Sequence, residues 1–395
     1  MSSSVNEIKG CILPWMHMMG NLNGEYHACC FAKYHHGDDV LGFHNQSLLD
    51  VWNNPPYKNI RNQLLKGEIP AECNEVCFGL EDSGGVSNRQ QVNHRFQQYA
   101  HLQNQTEADG YQPTIPRYLD IRFGNLCNFR CRMCGPKSST GWYEEVKINN
   151  GKIIDSFTEN ELFWKDVSII APHLSDVYFA GGEPFLQNGH YKLIEHLIST
   201  GHSRNISLQY NSNLSRRNYK NFDLKQLWSH FKQISIWPSC EGFGEKVEYS
   251  RSGFNWKLFE ENCRYFKREI DTISAVINIY SISSMPELIL WCKQQGIDYW
   301  GTILTHPDYL NITSLPKKGK DFIREKYRSF QTEATKLLNE HDLNQINNWI
   351  TYMDSKDNSH LLPKFKEIQQ KLDYSRGETF QLVFPEFSDW YDRIN

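Results

Sequence analysis

Cysteine is the residue type whose chemistry stands out in this sequence. Eight of the 11 cysteines lie within the first 134 residues of the chain, where their thiolates could ligate a metal. Cys127, Cys131 and Cys134 share one short loop with the spacing C-x3-C-x2-C. Three thiolates can hold three irons of a cubane iron–sulfur cluster, and four would close it. The loop therefore predicts a cluster whose fourth iron is open to a further ligand.

Zinc is the main alternative for this loop, because closed structural zinc sites also use sets of cysteines. A zinc site needs a fourth ligand and usually has its cysteines in pairs. The sequence offers no nearby candidate, since no Cys or His lies between Gly135 and His173. Three buried cysteines without a metal are a weaker explanation, because the loop also carries Asn128, Arg130 and Arg132.

A second motif follows about fifty residues later, where the apolar segment from Val177 ends in Gly181, Gly182, Glu183 and Pro184. Two glycines let the backbone approach a ligand closely, and a carboxylate can accept hydrogen bonds from an ammonium group. By itself the motif is also compatible with an ordinary turn from a strand into a helix that begins with proline.

Together the two motifs resemble the radical S-adenosylmethionine (SAM) superfamily. The resemblance implies a [4Fe–4S] cluster on Cys127, Cys131 and Cys134 that binds SAM. It also implies that Gly181, Gly182, Glu183 and Pro184 bind the amino group of the SAM methionyl moiety. In that family an electron from the cluster cleaves SAM, and the resulting deoxyadenosyl radical removes a hydrogen atom from the substrate.

A second set of cysteines precedes the loop. Four thiolates can close a cluster with no open iron, as in an electron-transfer or structural site. The set, with its spacing from Gly24 and with Arg61, resembles the auxiliary-cluster modules called SPASM or twitch, although such modules usually follow the barrel. The resemblance implies one auxiliary [4Fe–4S] cluster with Cys30 as an alternative to Cys29, and a zinc ribbon is the competing interpretation. The expected ligands are Cys11, Cys29, Cys73 and Cys77.

The order of the predicted elements indicates an α/β protein. Strand-like segments alternate with helical patterns after residue 117, which favours a parallel sheet with its chemistry at the carboxyl ends of the strands. The resemblance implies a partial (β/α)6 barrel of the radical SAM type, with a small cysteine-rich N-terminal domain and a helical C-terminal tail. Predicted strands are 118–123, 176–180, 205–210, 232–237, 273–280 and 298–304. Predicted domains are 1–112, including a linker over 83–112, then the barrel 113–309 and the helical extension 310–395.

Further contacts to SAM are implied by the resemblance. Met133 stands where the family usually has an aromatic residue against the adenine, and its polarisable thioether can pack in a similar way. The other implied contacts follow the third and fourth strands or the helix after them, and each has an equally good interpretation as a turn residue or a surface ion pair. These residues are Asn211, Ser239, Glu241 and Arg251.

Cys240 directly follows a predicted strand. A lone cysteine is most often a small buried apolar side chain, and we favour that interpretation. The alternative is a hydrogen-atom donor, because radical epimerases that resemble this family return a hydrogen atom from a cysteine.

Composition limits the function classes. The chain has 42 Lys and Arg against 46 Asp and Glu, with a net charge of -4, which argues against a nucleic-acid partner bound through a broad basic surface. No apolar run approaches a membrane span, and the N-terminus lacks a signal-peptide pattern, so we expect a cytoplasmic protein without a membrane partner.

The favoured function is a radical SAM oxidoreductase or maturase that oxidises, crosslinks or epimerises a peptide or protein. A radical SAM enzyme for a small molecule, such as a sugar or an amino-acid derivative, is the first alternative. A non-catalytic iron–sulfur or zinc protein is the second. The enzyme would also need a one-electron donor such as a flavodoxin or ferredoxin.

Overall fold

A computed structural model of the chain describes residues 7–32, 40–82, 86–148 and 151–394. Residues 83–85 of the predicted linker lie outside these ranges. The chain forms two compact units, which are described separately below. Unit 1 comprises residues 1–126, 152–210 and 218–234, and unit 2 comprises residues 127–151, 211–217 and 235–395.

Short strands and helices alternate along the chain. The strands are β1 His17–Gly20, β2 Glu25–His27, β3 Gly42–Phe43, β4 Tyr118–Ile121, β5 Arg130–Cys131, β6 Asp176–Phe179, β7 Ser207–Ser212, β8 Asn218–Tyr219, β9 Phe222–Asp223, β10 Gln233–Pro238, β11 Arg251–Ser252, β12 Thr272–Ile277 and β13 Asp298–Ile303. The helices are α1 Leu48–Trp52, α2 Pro55–Leu65, α3 Ala71–Cys73, α4 Gly79–Asp82, α5 Asn88–Arg95, α6 Glu161–Ile170, α7 Asn188–Ser199, α8 Leu224–Trp228, α9 Glu245–Ser250, α10 Trp256–Tyr265, α11 Met285–Gln295, α12 Lys317–Glu333, α13 Glu340–Asp354, α14 Leu362–Arg376, α15 Phe380–Val383 and α16 Ser388–Tyr391.

Unit 1 is built on a mixed sheet in which β7, β6, β4, β1, β2 and β3 follow one another. The pairs β7–β6, β6–β4 and β4–β1 are parallel, and β1–β2 and β2–β3 are antiparallel. The N-terminal segment therefore adds its own strand β1 beside β4, the first strand of the predicted barrel. This pairing joins residues about one hundred positions apart, such as Met19 and Asp120.

The two faces of this sheet differ in polarity. Side chains such as Leu119 and Phe179 are fully buried on one face, where the Phe179 ring lies 4.7 Å from the ring of His190 on α7. Since successive side chains of a strand point to opposite faces, the other face carries the row Met19, Asp120 and Tyr178, which are aligned by the strand register. A sheet with a polar face inside the fold is expected beside a binding cavity rather than in a closed apolar core.

Unit 2 contains the parallel pair β12–β13, whose six residue pairs run from Thr272–Asp298 to Ile277–Ile303. The second half of β10 approaches β12, because the Ile236 N–H donates to the Glu269 carbonyl at 2.8 Å and the Cys240 N–H donates to the Ser274 carbonyl at 3.0 Å. Helices α12, α13 and α14 follow the last strand. The prediction of a mixed α/β protein with a sheet rich in parallel strands is confirmed.

No helix in the part of the chain that the structure describes combines the length and the apolar character needed to cross a membrane.

Candidate iron–sulfur centres

Four cysteines of the N-terminal segment line one pocket of unit 1. Its walls are otherwise largely apolar, with side chains such as Leu13, Ile60 and Val76, and Cys30 is not among the lining residues. The four cysteines are Cys11, Cys29, Cys73 and Cys77. They come from four separate places: Cys11 precedes a 3-10 turn, Cys29 follows β2, Cys73 ends α3, and Cys77 lies in the π-helical turn after it.

Burial dominates the electrostatics of this pocket. It raises the pKa of the Cys11 and Cys73 thiols to about 12 each, and it also raises the pKa of Cys77. The thiols therefore hold their protons in the metal-free protein, and binding of a cluster by these thiols would be coupled to proton release. Two N–H groups point at the Cys29 sulfur, the backbone N–H of Phe31 at 3.4 Å and Asn88 Nδ2 at 3.9 Å. Donors of this kind stabilise a cluster thiolate.

Arg61 fixes the inner wall of the cysteine pocket. Its side chain is fully buried and packs against the rings of Trp52 and Tyr57, with the guanidinium carbon 4.4 and 4.6 Å from the ring centroids. Its Nε donates to the Pro14 carbonyl at 2.8 Å, and NH1 donates to Asn53 Oδ1 at 2.9 Å. Because Pro14 lies three residues after Cys11, the arginine fixes the backbone that presents this cysteine.

Cys30 faces a different environment. The residue is exposed and lies within hydrogen-bonding reach of Arg122, beyond the end of β4. The pocket lining thus includes Cys29 and not Cys30, although the two thiols interact with each other, and the choice of Cys29 with Cys30 as the alternative stays a prediction.

The three cysteines of the C-x3-C-x2-C loop belong to unit 2. Strand β5 pairs with β11 in antiparallel register, with Cys131 opposite Arg251, and the Cys134 N–H donates to the Cys131 carbonyl at 2.9 Å. Arg251 NH1 lies 3.9 Å from the Cys131 sulfur, and Asn213 Nδ2 lies 4.0 Å from the Cys127 sulfur. Burial raises the pKa of Cys131 to about 12 and also raises that of Cys134. The loop thus presents its thiols next to N–H donors.

Arg251 and Glu241, both predicted to contact SAM, are paired with each other. Arg251 Nε lies 2.8 and 2.7 Å from the two Glu241 carboxylate oxygens, and NH2 lies 2.6 Å from Oε2. The pair is buried, and the Ser250 hydroxyl lies 3.3 Å from Glu241 Oε1. Glu241 therefore neutralises most of the guanidinium charge. The NH1 nitrogen is the part of the guanidinium that lies near the Cys131 sulfur. Contact of either residue with SAM stays a prediction.

The Gly-Gly-Glu-Pro segment forms a tight turn after β6 in unit 1. Gly181 and Gly182 have φ angles of +78° and +53°, and a Cβ on Gly182 would lie 2.5 Å from the Leu126 carbonyl oxygen. The Glu183 N–H donates to the same carbonyl at 2.8 Å, and the Glu183 carboxylate accepts from the Phe185 N–H at 3.1 Å. Pro184 begins the following 3-10 turn. The turn is therefore fixed to the residue that directly precedes Cys127 in the chain.

The end of β7 carries a strained turn that the sequence analysis missed. Leu214 is fully buried and has a φ of +55°, a left-handed conformation that is costly for a branched residue. The Leu214 N–H donates to Ser212 Oγ at 2.9 Å, and its carbonyl accepts from Asn262 Nδ2 at 2.6 Å. The turn carries Asn213, which donates to Asn128 Oδ1 at 2.9 Å.

Three other residues were predicted to contact SAM. Asn211, Met133 and Ser239 are each half-buried.

Cys240 is fully buried in unit 2. Its thiol donates to the Gly242 carbonyl at 3.3 Å, and burial raises its pKa far above the ordinary value for cysteine. The other late cysteines, Cys263 and Cys292, are buried as well and interact electrostatically with it. These contacts are those of a small packed side chain, and the role of hydrogen donor stays a prediction.

Asp120 on the polar face of unit 1 is a second residue that the sequence analysis passed over. It is 1% exposed, and in the described ranges neither carboxylate oxygen has a hydrogen-bond partner. His17 Nε2 lies 3.8 Å and Arg122 NH2 lies 3.7 Å from Oδ2. A buried carboxylate without close donors is costly, so such a group points to a functional site. One signal in the sequence could have identified Asp120: it is a charged residue within a predicted strand whose other face is apolar.

Across residues 7–32, 40–82, 86–148 and 151–394, no three His, Cys, Asp or Glu side chains converge closely enough to hold a single metal ion. In a mononuclear zinc site every thiolate lies about 2.3 Å from one ion. In a cluster each thiolate binds a different iron, so the sulfurs stand further apart.

Comparisons with known proteins bear on the N-terminal segment. Residues 11–78 match the SPASM family, described as an iron–sulfur cluster-binding domain. Among solved structures, the chain is similar to Streptococcus suis SuiB bound to S-adenosylmethionine, with 13% identity and a TM-score of 0.36. That alignment covers 71% of this chain and 59% of SuiB, so the chain spans less than two thirds of the length of that protein. A search among curated proteins found no match. Residues 11–78 are therefore similar to the SPASM family of iron–sulfur cluster-binding domains, which agrees with the auxiliary iron–sulfur module predicted for this segment.

Proposed function

We propose that this protein is a radical SAM enzyme that matures a peptide or protein by oxidation, crosslinking or epimerisation. The observation that carries the proposal is the presence of two separate cysteine sets. The SPASM segment accounts for the four cysteines that line the pocket of unit 1. Cys127, Cys131 and Cys134 remain as an independent set of three on one loop, which is the number that leaves one iron of a [4Fe–4S] cluster open.

The residues around this loop fit such a cluster. The donor set consists of thiols, and N–H groups of Asn213 and Arg251 lie at about hydrogen-bonding distance from two of the sulfurs. A cluster held there would supply one electron to SAM, whose C–S bond breaks to give methionine and a radical that removes a hydrogen atom from the substrate. The protein supplies binding, orientation and exclusion of water.

Other residues of the chain would position the ligands. The missing Cβ atoms let the Gly181–Gly182 turn pack closely against the Gly124 and Leu126 carbonyls, and in this proposal main-chain carbonyls of the turn accept from the SAM amino group. Asp120 and Arg122 would meet polar groups of the substrate from the polar face of the sheet. A peptide backbone provides both N–H donors that suit the buried Asp120 carboxylate and carbonyl acceptors that suit an arginine.

The order of strands supports the proposed partial (β/α)6 barrel. Strands β4, β6, β7, β10, β12 and β13 occur in chain order with helices between them, and the pairs β4–β6, β6–β7 and β12–β13 are parallel. We retain 1–112, 113–309 and 310–395 as the proposed functional divisions, and a flavodoxin or ferredoxin as the proposed class of electron donor.

The proposal is tested by anaerobic reconstitution with iron and sulfide, followed by SAM and dithionite. We expect the wild type to form deoxyadenosine, and we expect Cys127→Ala to form none above background. Cys263→Ala is the matched control, because it removes a buried cysteine outside the loop and should retain the activity. If wild type and Cys127→Ala are equally inactive while both contain iron and sulfide, the non-catalytic alternative is correct.

A further inference from the structure

Arg132 lies between the second and third cysteines of the loop, and its side chain is completely buried. Its guanidinium carbon lies 3.7 Å from the centroid of the Tyr249 ring, and Nε donates to the Tyr249 carbonyl at 3.0 Å. NH2 donates to Asp373 Oδ1 at 2.7 Å and also forms an ion pair with Glu378. Both carboxylates that neutralise this arginine therefore come from the end of α14 and the turn after it, more than 240 residues along the chain.

Asp373 is itself fixed by several donors. Its Oδ1 accepts from the Tyr249 hydroxyl at 2.8 Å and from Gln369 Nε2 at 2.8 Å, and its Oδ2 accepts from the Phe380 N–H at 2.8 Å. A carboxylate with this many donors has a defined position, so it holds the guanidinium in one geometry.

A second contact joins the same helix end to the polypeptide that follows the cysteines. Arg376 donates to both carboxylate oxygens of Glu145, at 3.0 Å from Nε and 2.9 Å from NH2. The Ser375 hydroxyl donates to Glu145 Oε1 at 2.7 Å. The Arg376 side chain is 1% exposed and that of Glu145 is 7% exposed, so solvent screens this pair little. The last turn of α14 thus contacts the loop at Arg132 and the segment beyond it at Glu145.

We propose that the C-terminal end of α14 holds the cysteine loop in its cluster-binding conformation, with Arg132 as the positioning residue. The proposal rests on the proposed function, because it assigns the loop to the SAM-binding cluster. The reason is physical: a loop that carries three ligands binds a cluster more tightly when it is ordered before binding, because less conformational entropy is lost. The loop backbone is part of the same arrangement, since the Arg132 N–H donates to the Ser250 carbonyl at 2.7 Å.

The first experiment measures hydrogen exchange of the peptide that spans the loop, in the full-length protein without metal. We expect the loop amides of Arg132→Met to exchange at least about tenfold faster than those of the wild type, because each 1.4 kcal/mol of lost stability increases the open fraction tenfold. Arg328→Met is the matched control: Arg328 is 71% exposed on α12 and pairs with Glu325 three residues away. It should leave exchange in the loop unchanged.

The second experiment measures cluster content after anaerobic reconstitution. Arg132→Met should lose roughly half of its iron and sulfide, since the SPASM ligands form a separate set. The change that SAM causes in the electron paramagnetic resonance spectrum of the reduced wild type should disappear in the variant. Asp373→Asn keeps the shape of the side chain and weakens the pair from the helix side, so it gives the same test if Arg132→Met does not fold.

The outcomes separate this inference from the proposed function. If the wild type binds two clusters and cleaves SAM, while Arg132→Met and Asp373→Asn show wild-type exchange and iron content, the positioning role is wrong and the function stands. If the wild type binds no cluster at the loop although Arg132→Met accelerates loop exchange, the proposed function is wrong and the structural contact stands.

Discussion

Gly182→Ala is the substitution that most sharply tests the turn before Pro184. Gly182 adopts φ +53°, and a Cβ would lie 2.5 Å from the Leu126 oxygen and 2.8 Å from the Gly124 oxygen. Both atoms belong to the main chain, so neither can rotate away as a side chain would. Gly201→Ala is the matched control in the same unit, because Gly201 has φ +79° and nothing within 4 Å of its Cβ position.

The two variants separate the backbone cost from the steric cost. A left-handed conformation costs an L-residue about 1–2 kcal/mol, and this cost applies to both variants. Overpacking adds about 1–3 kcal/mol, and it applies to Gly182→Ala alone. We therefore expect a loss of unfolding free energy of about 1–2 kcal/mol for Gly201→Ala and about 2–5 kcal/mol for Gly182→Ala.

Urea unfolding of the metal-free protein, followed by tryptophan fluorescence, measures both losses. Equilibrium dialysis with labelled SAM on the reconstituted protein then measures affinity. We expect binding to weaken at least about tenfold in Gly182→Ala and to stay unchanged in Gly201→Ala. Equal stability losses in the two variants, together with unchanged SAM binding in both, would refute the assignment of a close-contact turn at Gly182.

Three further outcomes follow from the described side chains. Cys29→Ser should lower the iron and sulfide content after reconstitution and Cys30→Ser should not, and the reverse result would exchange their roles. Cys240→Ala should leave SAM cleavage intact; deuterium from solvent that enters the product in the wild type but not in the variant would establish Cys240 as a hydrogen donor. Burial lowers the pKa of His190 to about 3, below its unfolded value of about 6.5, so the folded state keeps the ring neutral and stability falls as the pH drops below 6.5. The loss of unfolding free energy between pH 7 and 5 should be about 2 kcal/mol smaller in His190→Phe, and identical losses would contradict a buried neutral ring.

The sequence predicted the repeating strands because each is a short apolar run bounded by turn residues. The segment 118–123 corresponds to β4, and 232–237 corresponds to β10 with a shift of one residue. The prediction 273–280 was too long, because β12 ends at Ile277 and Asn278 begins a turn in which its Oδ1 accepts from the Tyr280 N–H at 2.8 Å. Apolar periodicity does not reveal where a side chain takes over the backbone hydrogen bonds.

Long-range partners were not predictable from one sequence. The pairing of β1 with β4 has no local signal, since His17–Gly20 lacks the β-branched residues of an obvious strand. Arg132 was visible only as a charged residue within the cysteine loop, and its partner Asp373 lies on a helix whose pattern says nothing about its target. The cysteine spacing was informative because ligands of one cluster must be close in space, which constrains their separation in the chain.

The central claim is that Cys127, Cys131 and Cys134 hold an iron–sulfur cluster with one open iron. Its most direct test is a determination of iron, inorganic sulfide and zinc in the anaerobically purified protein, with electron paramagnetic resonance of the reduced form before and after SAM is added. We predict two clusters per chain, a spectrum that changes with SAM, and loss of that change with about half of the iron in Cys131→Ala. Zinc without inorganic sulfide, or a spectrum of the wild type that SAM leaves unaltered, would contradict the claim.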